Sequence, residues 1–168
     1  MGSARKKVPF SDAPIERARD FVCQGADLAL QLAEQLGNRK WQSDLLGDSI
    51  PIHHLRNGDL DAARSSAEMG ADLAAQIGAA EQEAYGCLSL GLVSQLRGEY
   101  ESAIGHYQRG LLAGRTSGIP FIQATALCGL GTAHMDISSK LMDQTSQYHS
   151  KALELMELPL GTATGGLA

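Results

Sequence analysis

The sequence predicts an all-α fold, an α-solenoid of antiparallel helical hairpins, and two observations predict it. Helix breakers recur at Gly37, Gly78, Gly118 and Pro159, at intervals of 41, 40 and 41 residues, with amphipathic helical sequence between them. A constant period of this length marks a stacked helical array, in which each unit buries its apolar face on its neighbour. Composition points the same way: 43% of the 168 residues are hydrophobic but only 5% are aromatic. Such a mix, rich in Ala, Leu and Gly, suits closely packed helices; a sandwich or barrel draws on β-branched and aromatic side chains.

The elements follow in order. Residues 1–12 read as a flexible N-terminus, its basic run Arg5-Lys6-Lys7 being a solvated tail. Residues 13–168 read as one domain. Ala13 to Leu36 forms a long helix, the second helix of a preceding unit or an N-terminal cap. The first hairpin spans about 38–77. Its first helix starts near Asn38 and ends at Asn57-Gly58, and Asp59 stands where a capping carboxylate belongs. Its second helix carries Leu60, Ala63, Ala67, Leu73 and Ile77 on the apolar face. Pro51 removes one backbone hydrogen bond in mid-helix and is expected to kink or break the chain between Gly47 and Ile52.

The second hairpin, about 79–117, is the best formed. Ala84, Leu88, Leu90, Leu92, Val93 and Leu96 give its first helix a broad apolar face. Gly98 ends that helix, because glycine adopts the left-handed cap conformation without Cβ strain. The second helix, Tyr100 to Thr116, points Ala103, Tyr107, Leu111 and Leu112 inward, and Gly118 and Pro120 punctuate it. The third hairpin, about 119–158, is expected to turn at Ser138-Ser139 between helices at Ile119–Ile137 and Leu141–Glu157. Leu160 to Ala168 reads as the start of another first helix, so the array is expected to belong to a longer one or to have its ends covered by another copy.

The repeats agree at particular positions. Leu90-Gly91 returns as Leu130-Gly131, Ala63 as Ala103, and the large slot of Tyr107 as Tyr148. The set Leu90, Gly91, Gly98, Tyr100, Ala103 and Tyr107 resembles one copy of the tetratricopeptide repeat, in its long variant of about 40 residues. The resemblance covers roughly residues 38–158. It implies a right-handed superhelix that binds a protein or peptide on a concave face lined by the first helices.

The candidate ligand face is therefore read off those helices. Tyr85, Leu88, Ser89, Leu92 and Gln95 lie one turn apart on the second hairpin. One repeat later they become Thr125, Cys128, Thr132, Met135 and Asp136, and one repeat earlier Leu45, Asp48, Ser49, Ile52 and Arg56. Arg56 is the one cation, so a helix or extended peptide with apolar anchors suits this face better than a carboxylate terminus. Partners expected are thus a protein or peptide ligand, with self-association through open repeat ends as an alternative. A ligand-sensing role within a larger regulator is the other alternative.

Chemistry is otherwise sparse. The net charge of −5 gives nucleic acid no electrostatic support, and no apolar run approaches the length of a membrane helix. His53 and His54 are adjacent and diverge on a helix, while His106, His134 and His149 lie apart, without ligand spacing. Gly129-Leu130-Gly131 follows no strand and lacks the third glycine of a dinucleotide loop. Asp59 and Asp61 are half of a calcium-like pattern without its remainder. No catalytic residue, cofactor or metal is expected. The odd, scattered cysteines Cys23, Cys87 and Cys128 read as reduced thiols of a cytosolic protein. In thermal melts, Gly91→Leu should cost about 1–3 kcal/mol by overpacking a helix crossing, whereas Tyr85→Ala should leave the melting temperature nearly unchanged.

Overall fold

Glycines in the left-handed region cut the chain into helices. Gly37, Gly58, Gly78, Gly98 and Gly118 have φ of 62°, 78°, 68°, 73° and 72°. At Gly78 this turn lets the Ala79 amide donate to the Ala74 carbonyl at 2.9 Å, and the same closure recurs as Asn38 to Ala33, Asp59 to His54 and Glu99 to Ser94. This is a computed structural model; it describes residues 13–157, with side chains over 24–143. Pro159, Leu160 to Ala168, the N-terminal twelve residues, and the side chains of Cys23, Tyr148 and His149 lie outside the described residues.

The helices are α1 (Ala13–Gln35), α2 (Arg39–Asp44), α3 (Ile50–Arg56), α4 (Leu60–Ile77), α5 (Ala80–Leu96), α6 (Tyr100–Ser117) and α7 (Pro120–Glu157). No strand occurs among the described residues. Caps fix two of the starts. Asn38 Oδ1 accepts from the Trp41 amide at 3.1 Å, and Asp59 Oδ1 accepts from the Ala62 amide at 2.9 Å. Pro120 opens α7, where its missing N–H is harmless.

Each helix packs on the next. α4 lies against α2 and α3, α5 against α4, α6 against α5, and α7 against α6. In addition, α5 is flanked on one side by the α2–α3 segment and touches α7. The interfaces are built from small residues: Ala63, Ala67, Ala74, Ala84, Ala103, Ala126 and Ala133 are all fully buried. At Gly70 the backbones themselves meet, since a Cβ there would fall on Gly47 N and within 2.5 Å of Gly47 Cα. A Cβ on Gly86 would stand 2.8 Å from Ala71 Cβ. Gly91 makes room differently from a bare helix crossing, because the Tyr107 ring fills its place; a Cβ would lie 2.5 Å from Tyr107 Cε1.

Three expectations are corrected in whole or in part. Pro51 does not break the helical course of the backbone, which stays right-handed from Asp44 to Ile50, but the α-helix is interrupted just before it. Residues Leu45–Ser49 form one π-helical turn, and the Ile50 amide bonds the Leu45 carbonyl. Pro51 stands at the start of α3, directly after the wider turn, and its ring is fully buried. The turn at Ser138-Ser139 is absent, and α7 continues through it to Glu157, so the third hairpin of about 119–158 is a single helix. No glycine stands there to take a positive φ, and Ser138 Oγ donates back to the His134 carbonyl at 3.0 Å, satisfying itself within the helix. Leu96 and Leu112, expected on inward faces, are 57% and 66% exposed.

Arginines link successive turns at the surface. Arg97 donates to Asp61 Oδ1 at 2.5 Å and to Glu99 Oε1 at 3.1 Å, and Arg64 pairs with Glu99. Such exposed pairs add little stability; small-residue packing dominates. Accordingly, Gly70→Ala should lose about 1–3 kcal/mol through overpacking. Gly105→Ala, in α6 with nothing within 4 Å of its Cβ, should gain about 0.5–1 kcal/mol in helix propensity. Urea unfolding of the two variants checks both signs.

Candidate functional site

A groove of about 390 Å³ runs between the α2–α3 segment, α5 and α7. Asp48, on the π-helical turn, and Ile52 form one wall. The floor is the helical face of α5 that carries Tyr85, Leu88, Ser89 and Leu92. Phe121, Thr125, Cys128, Gly129 and Thr132 of α7 form the opposite wall, and Tyr107 reaches in from α6.

Nine of the fifteen residues singled out from the sequence line this groove: Asp48, Ile52, Tyr85, Leu88, Ser89, Leu92, Thr125, Cys128 and Thr132. The other six do not line it. Ser49, Arg56 and Met135 are exposed, Leu45 is half-buried, and Gln95 and Asp136 bond to each other. Leu88 divides its surface, packing beneath the groove near Ala84, Ile122 and Ala103. Leu92 is 40% exposed.

Tyr107, Phe121 and Gly129 escaped the sequence reading. Phe121 stands one turn before Thr125, so extending that face by a turn reaches it, and Gly129 stands 40 residues after Ser89. Tyr107 gave no such signal, because its position on a second helix marks it as core. It is indeed buried, and it also lines the groove.

Two glycines hold the Tyr107 ring, since a Cβ on Gly91 or on Gly129 would come within 2.5 or 2.6 Å of its Cε1. Its hydroxyl donates to Gln95 Oε1 at 3.1 Å, and Gln95 Nε2 donates to Asp136 Oδ2 at 2.6 Å. Thr132 Oγ1 donates to the Gly129 carbonyl at 3.0 Å and lies 3.5 Å from Gln95 Oε1. Burial and the Asp136 carboxylate push the Tyr107 phenol up, so it remains a neutral donor. The ring and its chain of amide and carboxylate form a fixed base for the groove.

Among the lining residues only Asp48 is charged at neutral pH. Burial, then the Asp44 carboxylate, push its pKa up. Tyr85 is raised too, by burial first and then by Glu81, Asp48 and Asp44. Among the described residues no hydrogen bond or ion pair reaches the Asp48 carboxylate, which is half-buried and keeps contact with water.

Other candidate chemistry is quiet. No group of His, Cys, Asp or Glu among the described residues could hold a metal ion. The rings of His53 and His54 are 6.2 Å apart and tilted by 60°, and His53 Nε2 lies 2.9 Å from Asn57 Nδ2. Burial pushes the Cys87 thiol up to about 11, which leaves it a protonated core residue; Cys128 is exposed, and both thiols are free. No helix among the described residues is long and apolar enough to cross a membrane. No family model matches the chain, and no curated protein matches it.

The raised pKa of Asp48 fixes a sign. The folded chain holds that proton over a window in which the unfolded chain has released it, so wild-type stability falls as pH rises through the window. Asp48→Asn does not titrate. Its melting temperature relative to wild type should therefore climb as pH rises through the carboxylate range and level off near neutrality. A difference independent of pH would show that the carboxylate is not desolvated in the fold.

Proposed function

We propose that the chain is a tetratricopeptide-like array, without catalytic activity, that binds a peptide segment of a protein partner in the groove over α5. One observation carries this reading. Side chains spaced 40 residues apart, from the α2–α3 segment, α5 and α7, converge on a single cavity, as in the rows Asp48, Leu88, Cys128 and Ile52, Leu92, Thr132. Stacked helical repeats use a shared face of this kind for recognition, and its apolar side chains suit anchors projecting from a helix or an extended strand. The fixed base around Tyr107 keeps the floor in one shape, which lowers the ordering cost of binding. Nucleic acid is a poor occupant, because no Lys or Arg lines the groove. Free thiols at Cys87 and Cys128 suit a reducing compartment, so the cytosol belongs to the proposal.

A second reading, a sensor of a small apolar ligand, is favoured by the cavity volume alone, which lies within the usual range of small-ligand pockets. A random-peptide display library, panned against the full chain, separates the two. Selected peptides should carry apolar anchors, and Leu92→Glu should weaken them about tenfold or more. Met69→Glu, on the exposed side of α4, should leave their affinity unchanged. Equal binding by wild type and Leu92→Glu would sink the groove as the binding site.

A further inference from the structure

We infer that the occupant of the groove carries a positive charge beside its apolar anchors, as a peptide with a lysine or arginine set against Asp48. The inference rests on the peptide-binding reading above and adds the chemistry of the ligand to it.

The charge distribution of the groove is one-sided. Of its lining residues one is acidic, none is basic, and the remainder are neutral. Asp48 is half-buried on the α2–α3 wall, and Asp44 and Glu81 add negative potential around it and Tyr85. An anionic segment is repelled here. A neutral one that covered Asp48 would strip its remaining water and offer in return only neutral hydrogen bonds, a weaker compensation than an opposite charge. A cation compensates the carboxylate, and Tyr85 supplies an aromatic ring in the same groove.

Among the described residues Asp48 caps no helix and forms no ion pair, unlike Asp59 and Asp61, which do one or the other. It stands on a π-helical turn, a rare geometry that recurs at functional sites. A half-buried acid without a partner among the described residues, on an irregular turn, at the wall of an apolar groove is what a cation-specific contact needs. The elevated pKa of Asp48 is consistent with its lack of a partner.

The test uses peptides selected from the random library on the full chain. Selected sequences should be enriched in Lys or Arg at one fixed offset from their apolar anchors. Replacing that residue by norleucine should weaken binding about tenfold, as should Asp48→Asn, and the two losses should not add. The charge-swapped pair, Asp48→Lys with a glutamate in the peptide, should regain affinity. The peptide replacement does not depend on any variant folding. Peptides that lose binding with Leu92→Glu yet show no basic enrichment, or bind Asp48→Asn as well as wild type, would overturn the charge inference and leave the groove standing. Peptides indifferent to Leu92→Glu would overturn both.

Discussion

The closeness of α4 to the π-helical turn, where Gly70 meets the backbone of Gly47, sets the position of nearly everything else. Gly47 lies in turn against Gly86, whose Cα is 3.3 Å from where a Gly47 Cβ would be, and Gly86 against Ala71. Three segments thus touch almost without side chains between them. Dispersion contacts fall off steeply with distance, so a backbone-to-backbone approach gains many contacts that a larger residue would forfeit. It also draws the α2–α3 segment in beside α5, which is why Asp48 and Ile52 share a cavity with Leu88 and Leu92 instead of facing separate solvent. The wall of the groove is a by-product of glycine packing behind it.

Tyr107 plays the matching part on the other side. Gly91 and Gly129 admit its ring between α5 and α7, and the Gln95 and Asp136 side chains orient its hydroxyl. A large aromatic wedged between two glycines fixes the spacing of the helices it separates. The same residue is therefore packing element and groove lining, and its buried polar end is satisfied by Gln95 of α5, which Asp136 of α7 holds in turn. Small residues bring α3 close, and one large residue keeps α7 at its distance.

Much of this was legible in the sequence where chemistry is local. Turn glycines and the capping Asp59 can be read directly, because a positive φ or an orphan amide is a demand made by neighbouring residues alone. The rows of groove residues were legible because residues 40 apart in the sequence lie on helices that border one cavity. What escaped depends on tertiary contacts. The π-helical turn before Pro51 depends on α4 pressing at Gly47, and the double role of Tyr107 depends on two glycines 38 residues apart, Gly91 and Gly129. Ser138-Ser139 resembled a loop by composition, yet serine can bond back to its own helix, and only glycine or proline forces an exit. Leu96 and Leu112 show that an apolar residue need not mark the buried side.

The five turn glycines have one more consequence. Around Gly37, Gly58, Gly78, Gly98 and Gly118 nothing lies within 4 Å of an added Cβ, so each is as roomy as any surface position. Each is also held at a φ that L side chains rarely adopt. Crowding and constraint have come apart: the open corners of this molecule should vary little among descendants of the chain, while crowded positions filled by flexible side chains can drift. A survey of tolerated substitutions that ranked sites by free space alone would misjudge these five first.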